Sequence, residues 1–540
     1  MPLATLLALA IVAPSPDSLP HAALLERLRA AAAARPDRAR VLTLGRSRGG
    51  REIAALRLAD GEPPKSRPAI LVVGNVDGPD VFSSGVALAV AERFAGEGED
   101  VAAFLRETTL YVVPRANPDA AEARFATPRA EVEATGASVD SDRDRRDGED
   151  PPMDVNGDGL VTTMRWPDPA GEWIADPADP RAMAKANAAK GERGAYKLSI
   201  EGRDLDRDGR VAEDAPRDAI VNRNFPHDWK EHGEGSGRFA LDEPEGKALA
   251  DFVLARSDIQ LVVTYGALDN LVEKPKTVKA DAPPQKRLPQ PGVIEPDADL
   301  LAEIGRRYAE IAGNKTKGRG AEAGSFPAWI YHHRGLVSLA IALWDIPLDA
   351  EAPKEAPDDV KRLKWIDANS PAEFARFVPW TESAHPELGS VEIGGFAPFA
   401  RLEPPDSARA EIATKQSDFV LSLGALLARP RVLTATAKEL GGGLFEVKAA
   451  IENAALLPIA TASGRRTGEI RPALVKLVLD AGAALAAGPP QELVRELAGS
   501  GGRREFRWLV RGGRPAEWKV TLSTDNAGTS EARVEMETRR

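Results

Sequence analysis

The sequence predicts an α/β domain followed by a smaller all-β domain. Three observations carry that prediction. Ile70, Leu71, Val72 and Val73 form an apolar run without polar alternation, the pattern of a strand buried on both faces. Runs of this kind alternate with helical patterns up to about residue 427, which argues a parallel or mixed sheet covered by helices on both sides. After Arg429-Pro430 the period changes to two, in Phe445, Val447, Ala449, Ile451 and later Trp518, Val520, Leu522, with Gly-rich turns between. That pattern argues a β-sandwich over residues 430–540.

Composition narrows the function classes. A chain of 540 residues is too long for one core. With 71 basic against 82 acidic residues, its net charge of −11 gives no support for nucleic-acid binding. No cysteine is present, which excludes disulfides and thiolate sites, and only six histidines are available to a metal. The apolar run from Leu3 to Val12 makes residues 1–18 a candidate signal peptide, although no Lys or Arg precedes it and Ala13-Pro14 is a poor cleavage site. Export to the periplasm, cell envelope or medium is expected, and no other segment is fit to span a membrane.

Taken in order, Leu24, Leu25 and Leu28 line an alanine-rich helix that ends before Pro36, and residues 41–61 read as a hairpin around a Gly/Ser/Arg turn. The strand at 70–73 runs into a turn, Gly74-Asn75-Val76-Asp77-Gly78-Pro79-Asp80, and a helix with Val86, Leu88, Ala89 and Phe94 on its apolar positions. Strand, turn and helix place Asp77 and Asp80 at the carboxyl edge of a sheet, where α/β folds keep their sites. A second strand, Leu110 to Val113, leads into the turn Pro114 to Asp119. Residues 139–215 are an insertion rich in Asp, Gly and Arg. Beyond it come a helix at 243–256, a strand at 259–267, a Pro/Lys loop at 273–296, and a helix with Leu300, Leu301, Ile304, Tyr308 and Ile311 on one face. A strand through Leu339 to Trp344 and a helix at 406–427 complete the domain at 19–428.

Several motifs in this stretch follow a familiar order: Gly45-x-Ser47-x-x-Gly50-Arg51-x-Ile53, the turn at 74–80, Asn117-Pro118-Asp119, Val221-Asn222-Arg223-Asn224-Phe225-Pro226, Glu243-Pro244-Glu245, and Trp329-x-Tyr331 before the last strand. Their succession over residues 20–428 resembles the zinc carboxypeptidase family, the carboxypeptidase A-like metallopeptidases. The resemblance implies a three-layer α/β/α sandwich around a mixed, mainly eight-stranded sheet. It also implies a zinc held by His-x-x-Glu and a second histidine, a glutamate base in the last strand, and an Asn-Arg pair that holds the substrate's terminal carboxylate. In this sequence the His-x-x-Glu positions are Asp77 and Asp80, the second histidine is Gly266 and the base is Ala342. The carbonyl-polarising arginine aligns with Glu133 and the mobile tyrosine falls near Arg319, while Asn222 and Arg223 are kept.

Each substitution removes part of the chemistry. Two carboxylates without an imidazole make a poor zinc site, and glycine offers no side-chain ligand. Alanine takes no proton from water, and loss of a general base alone removes about 10²- to 10⁴-fold in rate. Asp77 to Asp80 then read most simply as a surface turn. Histidines elsewhere offer two pairings, the adjacent His332 and His333, and His227 with His232 around Trp229. Arg223 suits a carboxylate through its planar fork, with Asn222 as a directed donor; the alternative is a structural turn.

Within the insertion, three runs share alternate oxygen ligands: Asp140, Asp142, Asp144; Asp154, Asn156, Asp158; and Asp204, Asp206, Asp208, the last two followed by a glycine. This is the opening half of a calcium loop. The twelfth-position glutamate is absent, Arg165 standing there in the second run, while Glu149-Asp150 and Glu213-Asp214 are substitutes for the first and third. The competing reading is a solvated acidic loop.

The sequence therefore reads as an exported carboxypeptidase-like protein with a degenerate active site, no zinc, possible calcium sites, and a non-hydrolytic grip on peptide or peptidoglycan-derived C-termini. Two other readings stay open: an active metallocarboxypeptidase with unusual ligands, and a calcium-ordered structural or adhesion module.

Overall fold

The computed structural model describes residues 18–61, 67–131, 150–207, 209–212, 219–279, 292–320, 322–369 and 376–537. The signal-peptide reading, Glu133, the run Asp140, Asp142, Asp144, and Asp208 fall outside the described residues, save for Ser18.

The central sheet has the order β1-β2-β4-β3-β5-β6, with β1 at Ala39–Arg46, β2 at Glu52–Leu58, β3 at Ala69–Val73, β4 at Thr109–Val113, β5 at Ile259–Tyr265 and β6 at Val337–Ile341. β1 and β2 form the antiparallel hairpin, β2 pairs antiparallel with β4, and β4, β3, β5 and β6 run parallel. The unalternated run of β3 is explained by burial on both sides. Ile70 and Val72 pack in one apolar cluster with the helices His21–Ala34, Val81–Ala95 and Asp406–Leu423. Leu71 and Val73 pack in another with the helices Pro244–Leu254 and Phe326–His332.

Among the described residues this sheet has six strands, where the resemblance implies eight. Between β5 and β6 the chain forms helices and one two-residue parallel pair, Thr277–Val278 with Val293–Ile294. The edge of β6 is instead blocked by one residue. Asn270 donates its backbone N–H to Ala340 O and its Nδ2 to Ser338 O, and its Oδ1 accepts from Ala340 N. An edge satisfied in this way offers little to a further strand.

The insertion is more ordered than its composition suggests. Strands Thr163–Pro167, Trp173–Ala175, Met183–Lys185 and Tyr196–Ile200 join Phe377–His385 and Gly389–Phe396 in a second six-stranded antiparallel sheet. Arg165 is therefore a strand residue. It pairs with Glu392 at 2.9 Å and lies 4.2 Å over the Trp380 ring, away from any ligand role. The C-terminal region, 431–536, forms a five-stranded and a four-stranded sheet whose apolar residues share one cluster, Phe445 meeting Trp518 edge-on at 5.5 Å.

The two regions are joined by buried polar contacts. Asp297, 5% exposed in the helix Glu295–Ala312, accepts from Ala462 N (2.8 Å), Ser463 N (3.0 Å) and the Tyr331 hydroxyl (2.7 Å). Gln260 of β5 bridges the other end, donating to Ala428 O and Asn526 O and accepting from Ala428 N. Removing a buried acceptor leaves its donors unpaired, each at about 1–3 kcal/mol. Asp297→Ala is expected to cost about 3–5 kcal/mol in chemical denaturation, and Asp297→Asn less, because the amide keeps one acceptor.

Candidate functional site

The carboxyl ends of β3, β5 and β6 bring Asp77, Gly266, Asn222 and Ala342 to one region, as the register of the parallel strands requires. The 74–80 turn is buried, which corrects the surface-turn reading: in it only Asp77 is part-exposed. Asn75 holds the turn shut with a left-handed φ of 58°, its Nδ2 donating to the carbonyls of Asp77, Gly78 and Asp80.

Asp80 is a helix cap. Its Oδ1 accepts from Ser83 N at 2.9 Å at the start of the Val81–Ala95 helix, satisfying one of the orphan donors there. Burial, with Asp77 nearby, pushes its carboxyl up to about 7. Asp77 is committed on both oxygens. Oδ1 accepts from Asn222 Nδ2 at 2.9 Å, and Oδ2 accepts from the Ala267 N–H at 2.7 Å. A Cβ on residue 266 would lie 2.2 Å from that Oδ2, so glycine at 266 is the residue that gives the carboxylate its room. Ala342, just beyond β6, is 5% exposed, and its carbonyl accepts from Asn314 Nδ2.

The zinc that the family resemblance implies does not fit these residues. One carboxylate caps a helix, the other is held by two donors, and the third position has no side chain. Nor do the histidines form the expected pairs. His232 is exposed beside Glu231, whereas His227 stacks on His332 with ring centroids 3.9 Å apart and planes 8° from parallel. His333 meets His227 edge-on at 5.5 Å. Burial and the neighbouring His227, His333 and Arg466 lower His332 to about 3, so it is neutral. Lone pairs of parallel stacked rings lie in parallel planes and do not converge on one ion. This stack lines one wall of a cavity of about 390 Å³ that also includes Leu268, Asn270, Glu322 and Tyr331.

Asn222 and Arg223 part company. Asn222 is 4% exposed and spent inside the protein, donating to Asp77 and accepting from Phe326 N at 2.9 Å. The Arg223 side chain keeps 26% of its surface; its contacts are Glu234 O at 3.5 Å and Glu322 at 3.9 Å. Arg319, at the tyrosine position, donates its backbone N–H to Ala267 O and pairs with Glu322 at 3.3 Å.

The acidic runs form a reciprocal pair of loops. In the first, Asp154 accepts from the N–H groups of Gly157, Asp158 and Gly159, and buried Glu201 accepts from Val155, Asn156 and Thr162. In the second, Asp204 accepts from Gly209 N, and buried Asp150 accepts from Leu205 and Asp206. Each loop is braced by the acid that precedes the other, across the antiparallel bridge Pro152–Gly202. Among the described residues, the acidic group with ligand oxygens within 4.8 Å of one another is Asp150, Asp204 and Asp206. Asp150 thus belongs with the third run rather than the first. Glu201 is missed by sequence, although an acid three or four residues ahead of each motif was its visible signal.

The architecture these elements define is an α/β domain in which Asp77, Asn222 and Gly266 meet at the carboxyl ends of the parallel strands, with Arg223 adjoining Asn222. The family model described as zinc carboxypeptidase matches residues 24–351, more than half of the sequence, and the chain belongs to that family. A domain of unknown function, DUF8731, matches residues 429–535. No curated protein matches the chain. Among solved structures, bovine thrombin-activatable fibrinolysis inhibitor in complex with tick carboxypeptidase inhibitor is 12% identical, covering 76% of this chain and 97% of that one at a TM-score of 0.37. Carboxypeptidase A from Helicoverpa armigera is 14% identical over 63% and 67% of the two chains at 0.36. The metallo-carboxypeptidase from Burkholderia cenocepacia is 14% identical over 74% and 67% at 0.34.

If Asp77 occupies the space that Gly266 vacates, the two positions are energetically coupled. Gly266→Ala is expected to destabilise the wild-type chain by about 1–3 kcal/mol through overpacking, and by clearly less in an Asp77→Ala background. A double-mutant cycle in denaturant measures the coupling.

Proposed function

We propose that this zinc carboxypeptidase-family protein binds the C-termini of peptides, including peptidoglycan-derived ones, without hydrolysing them. The observation that carries the reading is the engagement of both Asp77 oxygens, one by Asn222 and the other by Ala267. A hydrogen-bonded carboxylate fills the place of a metal centre, and Ala342 supplies no base. Arg223 remains half-buried at the cleft, with its charge and planar donors suited to a terminal carboxylate. Asn222 does not share that role, because its amide is engaged on both sides. The test is zinc content after dialysis against trace zinc, together with release of C-terminal residues from a mixed peptide panel. The expected outcome is neither stoichiometric zinc nor hydrolysis; one zinc per chain with chelator-sensitive cleavage would establish the active alternative.

The same proposal includes export and calcium. Export is supported by the apolar run at 3–12 followed by small residues and prolines. Calcium is supported by the two reciprocally braced loops at 154–159 and 204–209, whose Asp-x-Asp/Asn spacing and turning glycines suit an oxygen-ligated ion. A ligand of the folded state stabilises it by RT ln(1 + [L]/Kd), about 2.7 kcal/mol at a hundredfold excess over Kd. Millimolar calcium is therefore expected to raise the melting temperature of the full chain, and Asp158→Ala or Asp204→Ala to blunt the rise. An unchanged melting curve refutes this part alone.

A further inference from the structure

We propose that Glu322 is an internal competitor for the carboxylate-binding arginine, so that the cleft accepts a peptide C-terminus only when this side chain moves off. The inference rests on the carboxylate-binding reading and adds the regulation of that same site. The Glu322 carboxylate lies between two guanidinium groups, 3.9 Å from Arg223 Nε and 3.3 Å from Arg319 Nε. A carboxylate in that place is chemically what a peptide's terminal group would be.

The contact is built into the backbone. On one side, Arg319 donates its N–H to Ala267 O and accepts from Asp269 N, which ties that residue to the end of β5. On the other, the chain is pressed against the Arg223 backbone itself. Gly324 N donates to His227 O at 2.7 Å, Gly324 O accepts from Phe225 N at 2.8 Å, and Phe326 N donates to Asn222 Oδ1. Gly324 has a φ of 71°, and a Cβ there would lie 2.1 Å from Arg223 O, so only glycine allows this approach. Ser325 N also donates to Glu322 O, fixing the turn in which Glu322 sits. Glu322 thus lies two residues before Gly324, whose backbone is held against that of Arg223. Its side chain keeps 30% of its surface and reaches into the 390 Å³ cavity, so it has space into which to turn.

A ligand that must displace an internal partner binds with its intrinsic affinity reduced by the fraction of chain already open. A part-exposed ion pair is weak, so the reduction is modest. Removing the competitor should tighten binding by about threefold to tenfold. Glu322→Asp separates occupancy from charge, because it keeps the charge and shortens the reach by one methylene. Competition predicts tightening in both Glu322→Gln and Glu322→Asp, whereas a long-range field effect predicts it in Gln alone.

The experiment is calorimetric titration of the full chain with an N-acetylated alanine tripeptide, as free acid and as amide. It compares wild type, Glu322→Gln, Glu322→Asp and Arg223→Ala, plus Glu322→Gln combined with Arg223→Ala. The expected result is tighter binding of the free acid in both Glu322 variants, no gain for the amide, and loss of the gain when Arg223 is removed. If free-acid binding depends on Arg223 but is unchanged in Glu322→Gln, the internal competitor is overturned and the carboxylate-binding reading stands. Equal gains for acid and amide, or a gain confined to Gln, also overturn it. If no variant binds either peptide, both the competitor and the reading it rests on fall.

Discussion

The part-exposed carboxylate of Asp77 finds its donors inside the protein, and those bonds organise the mouth of the sheet. Its two oxygens reach residues 145 and 190 positions away along the chain, Asn222 and Ala267. Asn222 passes the connection on to Phe326, the first residue of the helix that flanks β6. One side chain therefore ties together the ends of β3 and β5, the short turn at Val221–Arg223 and the Phe326–His332 helix. The same residue types that a metal would need are consumed in holding these elements in register. Gly266 is a consequence of this: a larger residue there would displace the carboxylate from the Ala267 N–H. The hydrogen bonds of Asp77 join these elements directly through side chain and backbone.

The second constraint acts from behind. Tyr331 and His332 line the cavity, and the helix that carries them is braced by the C-terminal region: Asp297 joins the Tyr331 hydroxyl to the N–H groups of Ala462 and Ser463, and the Ser463 hydroxyl donates to Tyr331 O. The His332 imidazole, stacked on His227, stays neutral in this setting, since burial and the neighbouring His227, His333 and Arg466 disfavour its charge. The cavity wall is in this sense shared between the two regions, which also share an apolar cluster.

What could be read from the chain follows from range. The β3 to β6 strands were legible because each is buried on both faces and writes an apolar run, and the family was legible because its motifs follow one another in order. The second sheet was not. Thr163–Pro167 is only partly buried, and its partner Gly389–Phe396 lies more than 200 residues on, so no local period announces it. Among the described residues the sheet stops at six strands, with Asn270 satisfying the edge of β6, a pattern that has no signature beyond an Asn in a loop. Asp80 is a different case. An Asp directly before a helix with Ser three residues later is an N-cap signal, and the structure uses it as one. The histidine cluster was hidden because His227 and His332 are 105 residues apart, while the nearer His232 points into solvent.

The two parts of the domain place their acids on opposite principles. At the edge of the central sheet, Asp80 caps a helix from within the core, and the part-exposed Asp77 accepts from Asn222 and Ala267, donors that belong to distant parts of the chain. In the insertion, Asp154, Asp158 and Asp204 bond chiefly to N–H groups of their own exposed loops. A carboxylate has about four acceptor sites and each N–H takes only one. The difference is one of range rather than of charge count: Asp77 ties strand ends, turn and helix together, while the loop acids organise their own backbone. The carboxylates at the edge of the central sheet thus serve tertiary structure, and those of the insertion serve the local structure of their own loops.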